Sequence, residues 1–487
     1  MLILVFLVGL LLLDRIAHKS SILEKIGFAL PTGLALTTLL MVLMDWCGVA
    51  LTRTSLSIVT FCLLAAAAAA SILMYRKQRP ALKPLSLDLK WTNLLWVVMM
   101  GVVVYLEYVN FTKCMAFPTY DRDSMAAFDT IGYVCAREHT FCGMSIFDPS
   151  YIPAVKGPGS YISYLPMVQL SYAYVYTFGA ATSKAIPAFI YLGFLFGFYG
   201  LCRRRISHTG SALVLLGIVT APEMLSFASL SVTNVMQACM ASAGLIYACL
   251  WATERKGGDL RLAILLLAVN NWMRAEGVVF VGVAWLIIAI SALRRKEWKC
   301  ALLPALALVP LALWMVYSKA CGLTAESAVI AHLFWDGEKA ATIAKGAWSL
   351  FSADSYYGWT FQIFVLVLLA HQVCFGAYRW AKGKDGSAKD CAAKFGGLAN
   401  LLVPAAMAAC IAGYYLILYH VDYKWDSIDN VLAYSAKRFN FCFVPLAWYY
   451  VADSALLNRF FRWLEKSIGI GGVVTIGRKK TTGKQKA

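Results

Sequence analysis

The chain has 487 residues, of which 60% are hydrophobic and only 14% charged, with a mean hydropathy of +0.67. A soluble chain carries about a quarter charged residues, and no polar stretch here exceeds about 55 residues, which excludes a separate soluble domain of ordinary size. The net charge of +18 does not mark a nucleic-acid binder, because the basic residues fall in short clusters between apolar spans instead of massing on one segment.

In chain order, residues 1–13 read as a retained first helix: they are apolar, with no basic n-region and no small-residue cleavage site. Apolar runs then recur along the whole chain, among them 91–109, 232–251, 361–373 with its flanks, and 401–418. Runs of this kind are long enough to cross about 30 Å of hydrocarbon as helices. Most Lys and Arg lie in clusters around residues 15–25, 76–90, 203–205, 255–261, 294–299 and 379–394 and in the tail 458–487. The positive-inside rule places all of these in the cytoplasm.

The expected fold is therefore a single all-α polytopic membrane domain over 1–487, with about thirteen transmembrane helices, the N-terminus outside and the C-terminus inside. The outer loops are 45–53, 111–160, 222–231, 273–276, 319–358 and 420–438. Loop 111–160 is the first large one and carries interfacial helices, and 319–358 is the second. Two apolar stretches, 164–179 and 186–201, lie between the first large loop and Arg203, where the charges allow an odd number of crossings. The first is read as interfacial or re-entrant, a shape tolerated where protein covers it. Cys135 and Cys142 share the first large loop, but a helical spacing of seven leaves them too far apart to bridge readily. The six histidines are dispersed and no zinc spacing is present.

Three polar segments stand at the outer ends of apolar spans. The first runs from Tyr120 through Asp121, Arg122, Asp123 and Ser124 to Asp129, three carboxylates within nine residues. Its plain alternative is a helix start capped by Asp121 and Asp123. Asp-x-Asp also holds a metal with a nucleotide sugar in soluble glycosyltransferases, which leaves a divalent metal open here, although nucleotide sugars are not expected outside the membrane. The second segment is Asn270 to Gly277, with Arg274 and Glu276 close to hydrocarbon. Ionisable groups there are costly and mark a site by default, the alternative being that the two simply pair. The third is Tyr434 to Phe439, where Lys437 and Arg438 precede the last span, the alternative being a snorkelling basic pair.

Taken together, these segments resemble the GT-C superfamily of integral-membrane glycosyltransferases, which use polyprenyl-phosphate-linked sugars. The resemblance rests on the N-terminal helices leading to an acidic first outer loop, on Tyr164-x-Pro166, on Arg274-x-Glu276-Gly277 opening a later helix, and on Lys437-Arg438 before a proline-containing last helix. It implies a GT-C-like fold in a bacterial inner membrane with the site facing the periplasm. It also implies a role in making a cell-envelope glycan, with a lipid-linked sugar donor, a glycan or lipid-linked acceptor, membrane lipid as a partner and no nucleic acid. The loop aspartate of the family maps onto Asp123, or Asp121 in another register, as general base. Arg438, Lys437 or Arg274 would hold the donor phosphate, Glu276 would orient an acceptor hydroxyl or hold Arg274, and Asp129 and Tyr164 complete the expected substrate-binding set. One-step displacement implies inversion at the anomeric carbon. A lipid-linked glycan polymerase or ligase, and a membrane transporter or flippase, are the alternatives.

Overall fold

Helix is the one economical solution for a backbone in hydrocarbon, because every N–H and C=O is satisfied within the segment. The computed structural model describes residues 1–77, 91–148, 164–323, 329–382, 400–423 and 427–467. Nearly all of this is helical: α1 Leu2–Ile16, α2 Ile22–Trp46, α3 Arg53–Lys77, α4 Trp91–Ala116, α5 Asp129–Glu138, α6 Met167–Thr177, α7 Ala185–Cys202, α8 His208–Val219, α9 Pro222–Phe227, α10 Asn234–Glu254 and α11 Gly257–Met273. After these come α12 Val278–Leu293, α13 Trp298–Leu302, α14 Val309–Ala320, α15 Gly337–Ser352, α16 Asp354–Tyr357, α17 Thr360–Lys382, α18 Leu402–His420, α19 Ile428–Val431, α20 Lys437–Phe439, α21 Phe443–Asp453 and α22 Ala455–Ser467. A two-stranded antiparallel ladder joins β1 Val329–Ala331 to β2 Val421–Tyr423, with Ile330 opposite Asp422.

Among the described residues nine helical segments are long and apolar enough to cross a membrane. Helix α10 is the axis of the bundle: 94% of its apolar window is buried in protein, against 17% for α3, which therefore stands at the periphery. Close packing around α2 depends on glycine. A Cβ on Gly27 would lie 2.4 Å from the Gly197 nitrogen on α7, and one on Gly33 would lie 2.1 Å from the Val5 carbonyl oxygen on α1. Small residues at such crossings let backbones touch, the usual basis of helix association in lipid.

The helices run between two ends. At one, Arg204 pairs with Glu24 and Asp259, Arg205 with Glu254 and Asp453, and Lys25 with Asp14. This arginine end joins the starts of α2 and α11 to the ends of α1, α10 and α21. At the other end, Asp45 in the last turn of α2 collects four donors from two distant segments. They are the Thr140 hydroxyl (2.8 Å), the Phe141 and Cys142 N–H groups (3.0 and 2.9 Å) and the Tyr317 hydroxyl (2.5 Å). Cys135 and Cys142 are free thiols.

The stretch expected to be interfacial or re-entrant is α6. Its 11 residues span about 16 Å. Near its end Tyr176 donates to Asp129 of α5, and a Cβ on Gly132 of α5 would lie 2.9 Å from the Gln169 carbonyl oxygen near its start, so α6 lies along α5. A carboxylate also stands inside an apolar span. Glu107 lies within α4, 8% exposed, with Oε1 facing no hydrogen-bond partner among the described residues. The connector around 383–399, the tail beyond 467 and part of the first large loop lie outside the described residues.

Candidate functional site

The loop after α4 turns into helix at Asp121, whose Oδ2 accepts from the Ser124 N–H (3.0 Å) and hydroxyl (3.3 Å). Asp121 is thus the cap that the sequence allowed, and its carboxylate is engaged locally. Asp123 makes no cap bond. The chain from Ser124 to Phe128 is a π-turn, one residue wider than an α-turn, and Asp123 at its start reaches out to Arg438. Arg438 has the same local construction, because a second π-turn, Leu432–Ala436, immediately precedes Lys437 and Arg438. Its Nη1 donates to Asp123 Oδ2 and its Nε to the Tyr434 carbonyl (3.1 Å). The two partners are 315 residues apart in sequence, and their side chains are 25% and 19% exposed. π-turns are rare and concentrate at functional sites, and here one flanks each member of the pair.

The second sequence segment joins this pair. After α11 the backbone is extended at Arg274 and then closes a 3-10 turn, Ala275–Gly277. Arg274 grips Glu276 through two bonds, Nε to Oε2 (3.0 Å) and Nη2 to Oε1 (2.7 Å), while Nη1 donates to the Thr233 hydroxyl (3.1 Å). Gly277 is required there, because a Cβ would lie 2.6 Å from Asn271 Oδ1 and 2.7 Å from Asn270 Nδ2. Tyr164 connects the groups: the Arg274 guanidinium sits 5.7 Å from its ring centroid and the Phe128 ring 5.5 Å away. Its hydroxyl lies within electrostatic reach of Asp123, Glu276 and Arg438, and burial pushes it above the ordinary tyrosine range. Phe439, the residue after Arg438, stacks on Tyr414 with centroids 3.6 Å apart and provides an aromatic floor.

The structure therefore brings Asp123, Tyr164, Arg274, Glu276 and Arg438 into one cluster. It does not bring in Asp129 as a free carboxylate. That group accepts from Tyr176 (2.7 Å), Ser183 (2.5 Å) and Thr119 (3.4 Å) and pins α5 to α6 and to the start of α7. Lys437 turns away too. Its ammonium pairs with Glu223 on α9 (3.0 Å) and lies 4.9 Å from the Tyr356 ring centroid. Sequence reasoning passed over Glu223 and Thr233. An acid at the start of an apolar six-residue helix was the available signal for the first, and nothing distinguished the second.

A carboxylate and a guanidinium meeting at the mouth of a helical bundle, beside a second guanidinium, can abstract a proton at one point and bind an anion at the next. Among the described residues no three His, Cys, Asp or Glu side chains form a cation cage. No protein-family model matches the chain, and neither a curated protein nor a solved structure matches it.

Proposed function

We propose that this protein transfers a sugar from a polyprenyl-phosphate donor to an acceptor hydroxyl at the membrane surface, with inversion, as the resemblance to GT-C enzymes implies. The observation that carries the reading is the contact between Asp123 and Arg438, which sets a base and a phosphate-binding cation side by side. In the resting state each neutralises the other. Donor phosphate competes for Arg438, whose planar fork suits phosphate oxygens, and its arrival releases the Asp123 carboxylate. Asp123 then takes the proton from the acceptor hydroxyl and the oxygen attacks the anomeric carbon. The bond from that carbon to the phosphate oxygen breaks, and the electron pair leaves with the phosphate that Arg438 holds. Arg274, locked by Glu276 and Thr233, supplies a fixed second positive charge.

We also infer thirteen crossings. Counting four shorter helices, α1, α8, α11 and α21, with the nine long ones gives that number. With the arginine end in the cytoplasm, the cluster faces outside. Tested in proteoliposomes, the full-length chain should release label from one member of a panel of polyprenyl-phosphate monosaccharides, and the Asp123→Asn chain should release none. Equal release by both chains would remove the base from the reading. A second reading, lipid transport, draws on Glu107, since transporters keep ionisable groups deep in the bilayer. Lipid translocation without any sugar transfer would favour it.

A further inference from the structure

Lys113 and Lys184 lie at the same end of the bundle as the Asp123 cluster, away from the end where most Lys and Arg gather. Lys113 is in the last turn of α4, and Lys184 caps the start of α7. Both line one open pocket whose polar wall is Thr119, Ser124, Ser229 and Ser231. No Asp or Glu lines it. Lys184 is only 6% exposed, and its ammonium donates to the Phe117 carbonyl; Lys113 makes two long bonds, to the Ser226 hydroxyl (3.3 Å) and carbonyl (3.5 Å). Neither ammonium is ion-paired among the described residues. Each has three N–H donors, so donors outnumber acceptors. Two cations stand beside one cavity, with Asp121 and Asp129 one hydrogen bond behind its wall at Ser124 and Thr119, and an entering anion would accept from the ammonium N–H groups that remain free. The pocket also lies at the start of α7, an 18-residue helix whose N-terminal dipole adds to the positive field.

The surroundings indicate what carries that anion. Phe111 is two residues before Lys113 and Phe189 five residues after Lys184, and both lie on the side of the lysines toward the bundle middle. Their rings are 5.4 Å apart, and both are exposed on the lateral surface. Tyr108 and Tyr105 continue the exposed line along α4. Charge at one level with an outward apolar track directly beneath it is the profile of a lipid headgroup and its chain.

We propose that the pocket between Lys113 and Lys184 binds the phosphate group of a membrane lipid, whose chain lies along Phe111, Phe189 and Tyr108. This site depends only on the surroundings of the two lysines and is independent of sugar transfer at the Asp123 cluster.

The test uses the full-length chain in phosphatidylcholine nanodiscs containing a minor fraction of phosphatidic acid, with retained lipid counted by native mass spectrometry. Wild type should retain phosphatidic acid in preference to phosphatidylcholine. The Lys113→Gln/Lys184→Gln chain should lose that preference by about tenfold or more. Lys113→Arg/Lys184→Arg should keep most of it, which separates loss of charge from loss of fold. Lys345→Gln, an exposed charge removed from α15, should behave as wild type. Equal retention by wild type and the double glutamine chain would overturn the site. Full displacement by inorganic phosphate at the same concentration would overturn the lipid part and leave a free-phosphate site.

Discussion

Replacing Asp123 by Asn keeps the shape of the side chain and removes its negative charge, so it separates two effects of very different size. Asp123 and Arg438 are 25% and 19% exposed, and the loss of a pair at that level of hydration costs up to about 1 kcal/mol of stability. A general base contributes about 100- to 10,000-fold to rate, roughly 2.7–5.4 kcal/mol of barrier. Asp123→Asn should therefore fold, insert and melt within a few degrees of wild type while transfer falls at least a hundredfold. Arg438→Ala should raise the donor concentration needed for half-maximal rate, and Arg438→Lys should recover only part, because an ammonium lacks the planar fork. The assay is single-turnover release of labelled sugar at varied donor concentration, run beside thermal unfolding of the same preparations. An Asp123→Asn chain with more than half the wild-type rate, or a loss of rate tracking a loss of fold, would refute the assignment.

Other perturbations probe the frame around the cluster. Asp45→Asn places an amide N–H against the Cys142 N–H and Tyr317 hydroxyl or against the Thr140 and Phe141 donors, and should cost about 1–3 kcal/mol in detergent unfolding. An unchanged melting point would show that those bonds do not hold the first large loop. Gly27→Ala forces a methyl against the α7 backbone and should destabilise by about 1–3 kcal/mol. Gly101→Ala meets nothing within 4 Å and should be neutral or stabilising in the same measurement. Asp422 on β2 is held below the ordinary carboxylate range by its hydrogen bond to Lys339 on α15. A lowered pKa gives stability that is present above the unfolded value, about 4, and is lost as pH falls through the folded one. The contact between α15 and β2 should therefore become protease-sensitive only in acid, and equal cleavage at neutral and acid pH would contradict this.

Apolar run length and charge clusters were enough to read a helical membrane protein. Local sequence could not rank neighbours within each polar segment, because successive residues of a helix point about 100° apart. Lys437 and Arg438 are adjacent, yet one meets Glu223 and the other Asp123. Asp121 and Asp123 are two apart, and only the first caps the turn. The π-turns beside Asp123 and Arg438 have no residue signature in the sequence. Asp129 was chosen for its charge, whereas three hydroxyls on neighbouring elements decide its role.

The distance along the chain between Asp123 and Arg438 has a temporal meaning. Synthesis at about 5–20 residues per second puts roughly 15–60 s between the emergence of the two side chains. For that interval Asp123 waits beside the membrane without its guanidinium, while the intervening helices are threaded and docked one after another. Tyr164, Arg274 and Glu276 are all made before Arg438, so the pair with Asp123 is the last part of the cluster that can form.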